Sequence, residues 1–358
     1  LLYPSKLKSI TMLKKISLIA LLFSIINTSF AQKDSTAPKY SITTSGSVDA
    51  YFRNSFSAPS GITNNLTSFT NSNKKLALGM ASLKVDQSIG KFAATVDLGV
   101  GKRAEEFSYN DNGFLAYLKQ AYMSYTLTDK LKISAGKWAT HVGYELLDAP
   151  LNRNYSMSYG FSYGPFFHTG VKAEYALSGK SSFMIGIANP TDYVTTPSAS
   201  KVLIAQFSTK LFEDKTTIYA NYQGGNTGGS TSFSQIDLVI NNTLSSKFAL
   251  NYDGTIYTAK DGKSSNWKSN ALYVNYDPTS AIGFTLRSEL FDDKSGLSAG
   301  AFGTSIFANT LSMNYKIKKL TIIPELRLDN AKDNLYFNSD NIATGSNTSF
   351  IIAAVYKF

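Results

Sequence analysis

The sequence predicts an all-β protein: a transmembrane, antiparallel, up-and-down β-barrel of about 16 strands (14–18), with short periplasmic turns and long extracellular loops. Three observations carry this. Hydrophobicity alternates with a period of two almost everywhere after Tyr40, the connections alternate between short and long, and the chain runs from an apolar leader to an apolar strand ending on Phe358.

The leader comes first. Residues 12–31, MLKKISLIALLFSIINTSFA, start basic at Lys14 and Lys15, run apolar from Ile16 to Ile26 and close on the small residues Ser29 and Ala31. This is the pattern of a secretory signal peptide cut after Ala31. Its apolar run is shorter than the ~20 residues that span a bilayer. Residues 1–11 precede Met12 and read as upstream sequence translated in error; residues 32–39 read as a short periplasmic segment before a barrel over 40–358.

Composition narrows the class. Setting aside Lys6, Lys8, Lys14 and Lys15 of the leader, the 35 basic and 25 acidic residues leave +6 on the exported chain, dispersed along it. No charged run marks a nucleic-acid tail, so no nucleic-acid partner is expected. With 0 cysteines, neither disulfides nor thiolate metal sites can form. A mean hydropathy of −0.11 is too polar for a helical membrane bundle. Yet 22 Tyr and 23 Phe suit a barrel with aromatic girdles and a wet interior.

The strands follow. In 91–100, Phe92, Val96, Leu98 and Val100 alternate with Thr95, Asp97 and Gly99; in 281–290, Ile282, Phe284, Leu286 and Leu290 alternate with Thr285, Arg287 and Glu289. In 320–330, Leu320, Ile322, Leu326 and Leu328 oppose Glu325, Arg327 and Asp329. A basic group on the lipid face costs about 2–4 kcal/mol at midplane, so the charged face must look into a water-filled lumen. The phase is imperfect over 76–86, 115–125 and 201–210. Short links at 88–91, 128–130, 178–180, 213–215, 244–247, 277–280 and 316–319 alternate with longer polar segments at 54–74, 102–114, 140–163, 189–200, 224–233, 258–266, 292–305 and 330–348. In hydrocarbon every backbone polar group must be paired, so such a sheet has to close. The last strand places Phe350, Ile352, Ala354, Tyr356 and Phe358 on one face, ready to close against 40–52.

The segment 141–170 differs from the other loops in its density of aromatics. Its words GYE (143–145), NRNYS (152–156) and PFFHTGV (165–171), with GK (136–137) and KQAY (119–122), resemble the OmpL-like beta-barrel porin family of Gram-negative outer membranes. The resemblance covers most of the chain after the leader, with its specific words in 117–175. It implies a porin, with loop 140–163 folded inward and Glu145, Asp148 and Arg153 as constriction groups facing wall cations such as Arg53, Lys172, Arg287 and Arg327. The alternative for Glu145 and Arg153 is a mutual ion pair that fixes the loop. A terminal Phe358 preceded by Tyr356 resembles the signal read by the barrel assembly machinery.

Period-two phase adds Asp97, His168, Glu174, Glu289 and Glu325 to the lumen side. The tyrosines Tyr144, Tyr155, Tyr159 and Tyr163 read as packing and girdle residues ahead of a sugar-stacking slide. Expected partners are outer-membrane lipids and small hydrophilic solutes, with monomer and homotrimer both open. No cofactor or metal is predicted, and Asp292–Asp293 is the one acidic loop left open for calcium.

Catalysis is not expected. His141 and His168 are the only histidines, and no GxSxG or HExxH word occurs. The glycine-rich 222–232 lacks the Lys-Ser/Thr ending of a phosphate cradle and reads as a flexible outer loop. The competing class is a non-conducting outer-membrane barrel acting as adhesin or structural protein through its extracellular loops. A soluble sandwich would share the alternation but not the outward aromatics.

Overall fold

A strand whose side chains alternate apolar and polar has one face for lipid and one for water, and a sheet of such strands is satisfied in a membrane only when closed. The structure, a computed structural model, describes residues 39–298, 300 and 302–358. The predicted leader 12–31, the segment 1–11 and residues 32–38 lie outside the described residues.

The chain builds β1 (Tyr40–Ser55), β2 (Lys75–Ile89), β3 (Phe92–Val100), β4 (Leu118–Thr128), β5 (Leu131–Ala139) and β6 (Phe167–Ala176). It continues through β7 (Ser181–Ala188), β8 (Val202–Leu211), β9 (Thr216–Gly228), β10 (Thr231–Thr243) and β11 (Phe248–Asp261). Then come β12 (Lys263–Tyr276), β13 (Ile282–Asp292), β14 (Ser305–Ile317) and β15 (Leu320–Ala331). A two-stranded flap of β16 (Tyr336–Phe337) and β17 (Ala343–Thr344) precedes β18 (Ser346–Lys357). Among the described residues, β1–β15 and β18 form one closed antiparallel barrel of sixteen strands, each paired with its chain neighbour. Closure is made by β18 pairing with β15 on one side and β1 on the other, from Ser47↔Lys357 to Ser55↔Ser349. Phe358 completes the seam, its amide donating to the Gly46 carbonyl and its carbonyl accepting from the Gly46 amide.

The two faces separate sharply. On β13, Leu286 and Leu290 are 40% and 48% exposed on the outer surface, whereas Arg287 and Glu289 are 1% and 0% exposed inside. At the short-turn end, Phe92 packs on Tyr125 and Phe248 on Tyr276, both at 4.6 Å between centroids, while Tyr356 and Phe358 lie 6.4 Å apart. Rings of this kind mark a membrane interface.

Two departures from the predicted pattern have local causes. Bulges at Asp49/Ala50, opposite Met80 on β2, and at Asp97/Leu98, opposite β4, shift the alternation of those strands by one residue. On β8 the inner face itself is apolar, because Val202 and Ile204 bury against Trp138, Met184 and Phe233. The longer loops predicted over 224–233 and 258–266 are instead mostly strand, closed by tight turns at 229–230 and at Gly262. Gly229 and Gly262 sit at φ 67° and 69°, a left-handed conformation that glycine takes at no steric cost.

The upper part of β2 pairs with β1, whereas its pairing with β3 begins only at Ala81. A short helix, Lys102–Phe107, packs beside this low stretch of wall, burying Ala104 and Phe107 against Phe69, Met80 and Phe166.

Candidate functional site

The connection from β5 to β6, residues 140–166, does not stay at the rim. Its neck is tied by the Thr140 amide donating to the Phe166 carbonyl at 3.0 Å, and the chain between them crosses to the inner faces of β10–β15 and β1.

What holds it there is a set of carboxylates that accept its backbone amides. Asp237 on β10 takes the Gly143 amide and Asp253 on β11 the Tyr144 amide, both at 3.0 Å. Glu325 on β15 takes the amides of Tyr155 and Ser156 at 2.7 and 3.1 Å. Glu289 on β13 takes those of Tyr159 and Gly160 at 2.8 and 2.7 Å. Within the loop, Glu145 takes the Ser158 amide at 2.7 Å. Hydrogen bonds to a charged acceptor contribute about 1.5–3 kcal/mol each.

Arginines bind the complementary carbonyls. Arg287 pairs with Glu145 and donates to the carbonyls of Ser156 and Met157 at 2.7 and 3.2 Å. Arg327 donates to the Met157 carbonyl at 2.7 Å and to Asp329. Arg103, from the short helix, reaches the carbonyls of Leu147 and Tyr155. The Tyr155 hydroxyl donates to Asp49 above Gly79, where a Cβ would run into both groups. Packing completes the fixation: Leu147, Met157, Phe161 and Phe166 share one apolar cluster with Phe69 and Phe107, and Ala149 and Tyr155 pack on Ile323, Ile351, Ala353 and Val355.

The predicted site residues fall into two groups. Of the pore-lining set, Arg53, Asp97, His168, Arg287, Glu289, Glu325 and Arg327 are all buried, so they do not line open water as predicted. Arg53 is spent on the first long loop, donating to the carbonyls of Thr63 and Ser72 at 2.6 and 3.2 Å. Asp97 pairs with Lys119 at 3.0 Å. His168 lies 5.0 Å from the His141 ring and within 3.1 Å of the Thr140 hydroxyl. Asp97 is paired within the wall; for the others the loops fold onto the inner wall and take up its polar groups. Lys172 and Glu174, lower on β6, remain partly exposed and pair with each other at 3.7 Å, Glu174 also meeting Lys132 at 2.7 Å.

Of the loop residues, Glu145 is buried, whereas the side chains of Asp148 and Arg153 are 21% and 26% exposed. Glu145 and Arg153 do not pair with each other. Arg153 is held by Asp277 at 2.7 Å, and Asp148 by Lys119. The tyrosines 144, 155 and 159 pack on Tyr273, Tyr51 and Phe291. At Asp292–Asp293 the carboxylates are already engaged: Asp293 accepts from Leu297 and Ser298, and Asp292 pairs with Lys294. Sequence reasoning missed Asp237, Asp253 and Lys119 as partners of the loop.

One loop anchor titrates. Asp192, in the connection after β7, accepts the amides of Phe166 and Phe167 on Oδ1 at 2.8 and 3.0 Å and the Tyr109 hydroxyl on Oδ2 at 3.1 Å. Burial pushes this carboxyl up to about 7, against the hydrogen bonds from Phe167, Phe166 and Tyr109 and the charge of Lys137. The folded state therefore keeps a proton that the unfolded chain releases near 3.8. Its stabilising contribution is full below that value and is lost as pH rises through about 7. Proteolysis of loop 140–166 is expected to speed up between about pH 5 and pH 8, and Asp192→Asn, which tolerates the residue's φ of 61°, is expected to flatten that dependence. An unchanged pH profile in the variant would remove Asp192 as the titrating group.

A family model described as "Putative beta-barrel porin-2, OmpL-like" matches residues 41–358. No curated protein sequence matches. Among solved structures, the chain is similar to OmpT of Vibrio cholerae, described as a trimer form, at 12% identity and TM-score 0.61, covering 89% of this chain and 99% of that one. It is similar to the outer membrane channel DcaP of Acinetobacter baumannii at 13% identity and TM-score 0.60, covering 92% and 100%. The anion-selective porin from Comamonas acidovorans aligns at 14% identity and TM-score 0.60, covering 89% and 100%. At these identities the likeness is one of fold.

Proposed function

The chain belongs to the OmpL-like beta-barrel porin-2 family of outer-membrane proteins, and on that premise we propose that it is a passive diffusion channel for small hydrophilic solutes, narrowed by loop 140–166. The observation that carries this reading is the fixation of the loop inside the barrel. It is tied to the walls of β10–β15 and β1, to β8 through Gln206 and to β4 through the Lys119–Asp148 pair, while polar groups of the wall such as Lys84, Asp86, Lys172 and Glu174 stay partly exposed. The loop keeps Asp148 and Arg153 partly exposed as well, each charge held by a fixed partner. Acidic and basic groups held on opposite sides of a narrow passage set up a transverse field that orders water and gives a weak charge preference.

Planar-bilayer recording tests it. Stepwise openings with uptake limited by solute size are expected from the refolded protein. Asp148→Asn is expected to shift ion selectivity away from cations; unchanged conductance and selectivity would take the constriction role from this residue. A silent barrel would move the function to the extracellular loops, as in an adhesin. We propose trimeric assembly, supported by the fold shared with the trimer form of OmpT, to be checked by cross-linking in detergent.

A further inference from the structure

Charge is distributed unevenly between the two ends of the barrel. Lysine occupies six of the seven short turns: Lys91, Lys130, Lys180, Lys215, Lys247 and the pair Lys318–Lys319. Acids in those turns are Asp129, Glu213, Asp214 and Asp277, and the strand ends beside them add Lys132, Lys210, Lys316 and Lys357. At the long-loop end the balance tips the other way over 292–304 and 332–345, where Asp292, Asp293, Asp333 and Asp340 exceed Lys294 and Lys332.

Three of the lysines at the short-turn end line one cavity. Beneath the loop, where β14, β15 and β18 reach the short-turn end, a space of about 240 Å³ is lined by Lys316, Lys318 and Lys357 with Arg153 of the loop. No carboxylate side chain belongs to the lining. Among the described residues none of the three lysines forms an ion pair, and all three are exposed. Arg153 is fixed at the cavity by Asp277, which it meets through both terminal nitrogens at 2.7 and 3.1 Å, and by the Thr285 hydroxyl at 2.7 Å. The neighbouring asparagines are already used: Asn314 donates to the Arg153 carbonyl and Asn152 to the Leu146 carbonyl. The floor is apolar, from Pro150, Leu151, Ile323 and Val355.

Three lysines lining one space place like charges side by side, and an oxyanion bound among them offsets their repulsion. Ammonium groups are compact, rotatable donors, suited to phosphate or carboxylate without a fixed planar fork. We propose that this cavity is a seat for a small oxyanion, phosphate or carboxylate, at the periplasmic mouth, and that it gives the passage an anion preference. The apolar floor fits a small organic body behind the charged head. The selectivity part rests on the diffusion-channel reading; the binding part stands without it.

The test uses the refolded protein and inorganic phosphate. Calorimetry is expected to detect phosphate binding that is lost in Lys316→Gln/Lys318→Gln/Lys357→Gln and kept in Lys260→Gln/Lys263→Gln at the opposite end. In bilayers under a salt gradient, the chloride-to-potassium permeability ratio is expected to fall at least about twofold in the triple variant. Phosphate is expected to reduce current more from the short-turn side. A conducting wild type that binds no phosphate and shares its reversal potential with the triple variant would overturn the proposal and leave the channel reading intact. A silent wild type whose phosphate binding disappears in the triple variant would keep the seat and remove the channel. Heat-modifiable migration on a gel checks folding. Should the triple variant fail that check, Lys318→Gln, in an exposed turn, is expected to weaken binding on its own, and its failure to do so would count against the seat.

Discussion

Arg287→Met is expected to free loop 140–166 while the sixteen-strand wall persists. Arg287 bridges the two arms of the loop: it pairs with Glu145 on the outgoing arm and donates to the Ser156 and Met157 carbonyls on the returning one. It is also tied to its own wall through the Thr310 hydroxyl at 3.1 Å. Methionine fills much of the same volume but offers no donor. The Glu145 carboxylate would then stay buried with the Ser158 amide as its remaining partner. Removing one member of a buried pair costs about 3–5 kcal/mol, because the other charge is left uncompensated.

The loop's escape is cheaper than that, since moving into the lumen lets Glu145 hydrate. The expected readouts are rapid proteolysis within 140–166, larger and noisier openings, and little change in the heat-modifiable gel shift that reports the barrel. Adding Glu145→Gln should restore part of the loss, because it removes the stranded charge. Equal proteolysis rates in wild type and Arg287→Met would show that apolar packing of Phe161 and Phe166 holds the loop unaided.

The wall was legible in the sequence because lipid and water impose opposite demands on alternate residues, as Leu286 beside Arg287 illustrates. Legibility failed where a second layer replaced the water. The inner face of β18, Ile351, Ala353 and Val355, is apolar because Ala149 and Tyr155 of the loop press on it. Nothing in a single strand distinguishes that from a strand buried on both sides. Around Met80 and Lys119 the pattern slipped through bulges, which add a residue without a sequence signature.

The aromatic density of 141–170 did mark the loop as a packed element, and its tyrosines do pack. Its anchors were invisible for a different reason. Asp237 and Asp253 lie 94 and 109 positions from Gly143 and Tyr144, and what they bind there is backbone, which every residue possesses. Inward charges therefore read as lumen residues when their partners were loop amides.

The strongest test of that amide recognition is Glu289→Gln with Glu325→Gln. Each carboxylate accepts three hydrogen bonds. Glu325 serves Tyr155, Ser156 and the Ser312 hydroxyl; Glu289 serves Tyr159, Gly160 and the Ser269 hydroxyl. Glutamine keeps the shape but turns one acceptor oxygen into a donor, so at each site one amide faces an N–H. A buried amide left without an acceptor costs about 1–3 kcal/mol.

The two glutamates hold opposite ends of the stretch 155–160, with Met157 and Ser158 between them bound by Arg327 and Glu145. Losing one end leaves the other as a tether; losing both lets the stretch leave as a unit, so the double variant is expected to exceed the sum of the singles. Hydrogen exchange at Tyr155, Ser156, Tyr159 and Gly160 reads this directly. In each single variant exchange should rise at the matching pair of amides, and in the double across the whole stretch. Uniformly slow exchange in the double variant would mean that the arginines and the aromatic cluster hold the loop, and that the carboxylates are bystanders to its placement.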